Sequence, residues 1–216
     1  MSFARRFRPS RRALIGGSAA MLMVSGRATA AGPGKIVTLL GDSITAGLGL
    51  PASEALPAQL QAALGRLGVP ARVRGAGVSG DTTADGLARV DFSVQSDTAL
   101  CIVALGGNDL LQGVDPKAVQ ANLTAMVRRL KARRIAVLLA GMRAPPQIGR
   151  DYARAFNAAF PAAARAGGVA FYPDLLAGVG RQRQLLQADT VHPNAAGVKI
   201  IAAGLARAAA PILARP

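Results

Sequence analysis

The chain has 216 residues, 51% of them hydrophobic, and carries 26 lysines and arginines against 11 acids, for a formal net charge of +15. One histidine and one cysteine exclude a His/Cys zinc cluster and an internal disulfide. Six of the arginines, and no acid, lie in the first thirty residues, so the rest of the chain carries +9 over a length that suits one domain with a real core.

Those first thirty residues read as an export signal. Arg5, Arg6, Arg8, Arg11 and Arg12 form a basic start, Ala13 to Val24 is an uncharged stretch of small and apolar residues, and Ala28-Thr29-Ala30 fits the small-x-small cleavage rule. The apolar stretch, twelve residues long, is too short to span a bilayer core, so no stable membrane anchor is expected. Ser10-Arg11-Arg12-Ala13-Leu14-Ile15 resembles the twin-arginine export signal. A Sec-type signal is the alternative, because the same arginines would serve there. The expectation is a signal peptide over residues 1–30 and a single domain over 31–216, exported to the periplasm or beyond.

Short apolar runs then alternate with helical patterns. Ile36 to Leu40 reads as a buried strand, and Pro57 to Leu67 as a helix with Leu60, Leu64 and Leu67 on one stripe. Ala71 to Arg74 is a weaker strand, and Thr82 to Val90 a short helix after a Gly-Asp-Thr break. Ala99 to Leu105 is a second buried strand. It holds Cys101, which is expected to be an inert thiol. Asp115 caps a helix with Pro116 at its first position and Val119, Leu123, Met126, Val127 and Leu130 facing in. Ile135 to Ala140 is a third strong strand, Tyr152 to Ala166 a helix, and Val169 to Tyr172 a short strand. Asn194 starts the terminal helix, with Val198, Ile201, Leu205 and Ile212 turned inward.

Continuous apolar strands separated by amphipathic helices predict a parallel sheet covered on both faces. The expected fold is α/β, a three-layer, doubly wound arrangement of about five strands. In such sheets ligands bind at the carboxyl ends of the strands. Asp42-Ser43, Gly80 and Gly106-Gly107-Asn108-Asp109 follow successive strands and so fall on that edge, and the loop entering the last helix, with Asp189 and His192, can reach it. The densest basic group, Arg128, Arg129, Lys131, Arg133 and Arg134, reads as a solvated helix end. No aromatic residues are interleaved there for base stacking, so no nucleic-acid partner is expected.

A serine becomes a nucleophile when a base takes its proton, and His192 is the only imidazole in the chain. Ser43 directly follows a strand, where its hydroxyl can stand at a helix N-terminus. Asp189, three residues before His192, can fix the tautomer of the ring. The backbone N–H groups of Ser43 and Gly80 and the side chain of Asn108 can stabilise an oxyanion. Taken singly, each has a plainer reading: Ser43 as a helix cap, Asp189 as a turn or cap residue, Gly106 to Asp109 as a tight turn.

Together the segments resemble the SGNH (or GDSL) hydrolase family. Gly41-Asp42-Ser43, Gly77-Val78-Ser79-Gly80-Asp81-Thr82-Thr83, Gly106-Gly107-Asn108-Asp109 and Asp189-Thr190-Val191-His192-Pro193 stand in the family order across residues 35–210. Ser79 to Thr82, Gly86-Leu87-Ala88-Arg89 and Ala140 to Pro146 are similar to the bacterial arylesterase and multifunctional thioesterase/lysophospholipase branch. The resemblance implies a flavodoxin-like sheet and a metal-independent serine esterase without cofactor. Ser43 would be the nucleophile, Asp189 and His192 would complete the triad, and Ser43, Gly80 and Asn108 would form the oxyanion hole. The substrate would be a small acyl or aryl ester, extending to thioesters. Two departures stand out: Ile44 where leucine is commoner, and Thr190-Val191 in place of glycine-isoleucine. Leu110, Leu111, Met142 and Ile148, on loops after the third and fourth strands, are the candidate acyl contacts, with packing as the plainer reading of each.

Rival readings are weaker. Gly75-Ala76-Gly77-Val78-Ser79-Gly80 satisfies the dinucleotide pattern G-x-G-x-x-G, but the following strand ends in Leu105-Gly106-Gly107 without the acid such a site requires. A non-catalytic binding module would not need every reacting group that is present. A carbohydrate acetyl esterase on the same scaffold stays open. The chain has no tryptophan and two tyrosines with which to stack a sugar, which favours acyl or aryl esters.

Overall fold

A computed structural model describes Met1 and residues 34–215. The expected export signal lies outside the described residues. Five parallel strands form one sheet in the order β2-β1-β3-β4-β5. They are β1 (Lys35–Gly41), β2 (Ala71–Gly77), β3 (Thr98–Ala104), β4 (Ala136–Ala140) and β5 (Ala170–Tyr172). β1 and β3 occupy the centre, and Val37, Leu39, Leu40, Leu100, Ile102 and Val103 are fully buried. Their unbroken apolar sequence follows from being covered on both faces.

Among the described residues seven α-helices accompany the sheet: α1 (Ser43–Ala46), α2 (Leu56–Arg66), α3 (Thr83–Ser93), α4 (Gly107–Gln112), α5 (Pro116–Ala132), α6 (Arg150–Gly167) and α7 (Ala195–Leu213). α2 packs on α7 and α5 lies between α3 and α6, giving two helical layers around the sheet. The caps follow local chemistry. Asp115 accepts from Lys117 N and Asn194 from Ala196 N and Gly197 N, while Thr82 and Asp85 form a reciprocal capping box on α3. All five expected inner residues of α5 are fully buried. Cys101 is buried too, and burial pushes its thiol up to about 12, which makes it inert.

Two inward assignments change. α2 ends at Arg66, so Leu67 leaves the helical stripe and is 47% exposed. At the end of α7, Leu213 is buried while Ile212 is half-buried. Edge strand β2 runs further than its apolar signal, through Gly75 and Gly77. A Cβ on Gly77 would stand 2.4 Å from Ala46 N and 2.7 Å from Asp42 O, so glycine there lets the turn after β1 pack directly on β2. Within the dinucleotide-like pattern it is Gly77 that serves this close approach, while Gly75 faces the side chain of Pro57.

Candidate active site

The carboxyl ends of β1, β2 and β3 deliver three polar segments to one edge. After β1, Asp42 caps α1, its Oδ1 accepting from Ile44 N at 3.0 Å. Ser43 therefore occupies the first helical position, and its Oγ lies 2.8 Å from His192 Nε2. Gly47, at φ 78, ends α1 after a single turn.

His192 arrives on the loop between β5 and α7, closed at its base by an antiparallel bridge between Leu186 and Pro193. Asp189 organises this loop. Its Oδ1 accepts from Val191 N at 2.9 Å and His192 N at 3.0 Å, and its Oδ2 lies 2.6 Å from His192 Nδ1. The Val191 N–H, then the imidazole and the His192 N–H, hold this carboxyl down at about 2. An ionised carboxylate only accepts, so Nδ1 carries the proton and Nε2 is left to accept from Ser43.

The second and third segments meet beside Ser43. Gly80 sits at φ 90, a left-handed conformation that glycine adopts without strain. Asn108, on the first turn of α4, donates from Nδ2 to Asp81 O at 2.8 Å, which orients the amide and leaves its second proton for a ligand. No hydrogen bond among the described residues takes the N–H of Ser43 or Gly80. Arg89 braces this corner by donating to Asp81 Oδ2 at 2.5 Å and to the carbonyls of Ala76 and Gly41, both at 2.9 Å. Asp109 has no part in the opening. It is fully buried, and it accepts from the N–H and hydroxyl of Thr83 at 2.8 and 2.6 Å, tying α4 to α3.

Ser43, Gly80, Asn108 and His192 open into a cavity of about 280 Å³. Its apolar walls are Ile44, Leu48, Leu110, Leu111, Met142, Leu176 and Val191. Leu110, Leu111 and Met142 were expected from the sequence. Ile148 is 48% exposed and is not among the lining residues. Leu48, Leu176 and Val191 come from irregular segments with no periodicity to mark them. Asn157 braces the Met142 side, its amide exchanging hydrogen bonds with Ala144 N at 2.7 Å and Ala144 O at 3.1 Å. Asp42 also lines the cavity. It is 2% exposed, and burial raises its carboxyl to about 6. Among the described residues no cluster of three or more His, Cys, Asp or Glu can hold a metal ion.

Comparison with known proteins points the same way. The sequence pattern of the GDSL-like lipase/acylhydrolase family matches residues 39–200. The chain is 38% identical to esterase TesA of Pseudomonas aeruginosa over 83% of its own length and 88% of that protein. It is 33% identical to thioesterase 1/protease 1/lysophospholipase L1 of Escherichia coli over 89% of its length and 90% of that protein. The crystal structure of AlinE4, an SGNH-hydrolase family esterase, superposes with a TM-score of 0.71 at 42% identity, covering 84% of this chain and 97% of that one.

Proposed function

The chain belongs to the GDSL-like lipase/acylhydrolase family and is an enzyme that hydrolyses esters, and we propose that it does so through an acyl-enzyme formed on Ser43. The observation that carries this reading is the continuous chain from Ser43 Oγ to His192 Nε2, at 2.8 Å, and from His192 Nδ1 to Asp189 Oδ2, at 2.6 Å, at the mouth of an apolar cavity.

As Ser43 Oγ attacks the acyl carbonyl, its proton passes to His192 Nε2 and the ring becomes an imidazolium held by Asp189. The carbonyl oxygen takes the negative charge. Ser43 N–H, Gly80 N–H and the free Asn108 Nδ2 proton stabilise it, each contributing roughly 10²–10³ in rate. The tetrahedral adduct collapses as His192 returns the proton to the departing alcohol or thiol. Water, deprotonated by the same imidazole, then attacks the acyl-serine and a second collapse frees Ser43 and a carboxylic acid.

The walls formed by Leu48, Leu110, Leu111, Met142 and Val191 favour an acyl or aryl group, since most of the buried ligand surface there would meet hydrocarbon. Thioesters fit the same chemistry, because a thiol, being more acidic than an alcohol, leaves the tetrahedral adduct at least as readily. The basic start, apolar stretch and small-x-small site within residues 1–30 support export of the domain.

A fluorophosphonate probe tests the core of the proposal. Mass mapping is expected to find the adduct on Ser43 and none on the Ser43→Ala protein. An adduct on another residue, with Ser43 unmodified, overturns the assignment.

A further inference from the structure

We propose that Gln187 is a positioning residue that clamps the loop carrying His192 onto the segment following Ser43. The proposal rests on reading Ser43 and His192 as nucleophile and base. Gln187 is half-buried, and both protons of its amide are engaged on opposite sides of a junction. Nε2 donates to Leu48 O at 2.8 Å, across 139 positions of sequence, and to Pro193 O at 3.0 Å. Its backbone closes the same loop from within: Gln187 N donates to His192 O at 2.8 Å, and Gln187 O accepts from Thr190 N at 3.1 Å.

The clamp reaches the nucleophile within one more bond, because Leu48 N donates to Ser43 O at 3.0 Å. Among the described residues, only two hydrogen bonds join residues 42–55 to residues 186–193. One is Ser43 Oγ to His192 Nε2 and the other is Gln187 to Leu48. The first is broken and remade in every turnover, so the second is the hydrogen bond that holds the two segments in register throughout. Gly49 carries a second sign of the same contact. It sits at φ 76, and a Cβ there would stand 2.2 Å from Gln187 Oε1, so the backbone is bare where the amide seats. Neither residue touches the cavity, and Gln187 acts only by fixing the distance between two groups that do.

Misplacement of a catalytic group by about 1 Å costs on the order of 10²-fold in rate. Gln187→Met keeps the volume and removes both donors, and Gln187→Glu keeps the shape while facing two carbonyls with a carboxylate. Both are expected to lower kcat on a p-nitrophenyl acyl ester by about 10- to 100-fold with KM within about twofold, and to slow fluorophosphonate labelling of Ser43 by the same factor. His192 is the only histidine, so its ring resonances need no assignment. The low-field Nδ1–H signal is expected to persist in both variants, because the Asp189 pair travels with the loop. Wild-type kcat in the variants, with Ser43→Ala inactive, overturns the clamp and leaves the nucleophile reading standing. Loss of the Nδ1–H signal together with kcat marks a merely structural residue and also overturns it. Activity surviving in Ser43→Ala removes the reading on which the clamp rests.

Discussion

Asp189 and His192 form a turn in which one carboxylate holds both the ring and the peptide of its partner: Oδ2 meets Nδ1 at 2.6 Å, and Oδ1 takes the His192 N–H at 3.0 Å. A dyad three residues apart orients itself locally. Asp189→Asn keeps an oxygen for the N–H groups of Val191 and His192, so the loop is expected to fold. The neutral amide no longer stabilises the imidazolium, and kcat is expected to fall about 10²–10⁴-fold. Because the carboxyl sits at about 2, it stays ionised from pH 4 upward, and acid inactivation in wild type over that range is not a titration of Asp189. Steady-state rates from pH 4 to 9 check both points, and a variant within threefold of wild type refutes the role.

Asn108 offers a separable test. Its side chain donates to Asp81 O at 2.8 Å at the rim of the cavity. Asn108→Ala is expected to lose about 1 kcal/mol of stability. It is expected to lose about 10²–10³ in kcat with KM nearly unchanged, because the donor is needed only once the oxyanion forms. A change confined to KM would mean that the amide binds the ground state instead.

The order and type of the main elements were legible because parallel strands such as β3 must be apolar on both faces and helices such as α5 show one buried stripe. α1 and α4 were not, since four and six residues are too few to display a period. α4 instead depends on Gly106 at φ 116, packed where a Cβ would meet Phe160 Cζ at 2.7 Å. The residues proposed to react were readable as candidates because each lies in a short contiguous motif. The groups that support them were not. Arg89 stood out only as part of a resemblance, and Gln187 not at all, since their partners lie up to 139 positions away and no local pattern encodes such a pair. Ile148 lies outside the cavity lining, on the 3₁₀ turn Pro146–Ile148, whose course is likewise set by tertiary contacts.

Thr190 gives physical content to one departure seen in the sequence. It sits at φ 64, a left-handed conformation that a β-branched residue adopts at a cost of about 1–2 kcal/mol. Asp189 Oδ1 bonding to Val191 N and Thr190 N bonding to Gln187 O over-determine the turn and keep it there. Thr190→Gly relieves the strain but adds freedom to the unfolded chain, so a net gain of about 0.5–1 kcal/mol is expected, with kcat unchanged. Thermal unfolding measures it, and a loss of stability would show that the threonine side chain contributes more than its backbone costs.

Asp42 carries a charge that the fold disfavours. Its carboxyl is 2% exposed and raised from 3.8 to about 6, with burial as the main cause. A raised acid binds its proton more tightly in the folded state, so its contribution to stability is fully present below about pH 4. That contribution is lost as pH rises through about 6, and the loss approaches about 3 kcal/mol at pH 8. Asp42→Asn keeps the acceptor for Ile44 N without the charge. Urea unfolding is expected to find the variant more stable than wild type at pH 8 and equal to it near pH 3.5, while parallel curves at both values would refute the burial argument. Catalysis is expected to move the other way. The carboxylate is close enough to His192 for the two charges to interact, so it favours the imidazolium formed as Ser43 attacks, and the amide removes that help. A variant that is both more stable and slower at pH 8 would mean that the buried charge is held at the site for its effect on the imidazole, at the expense of the fold.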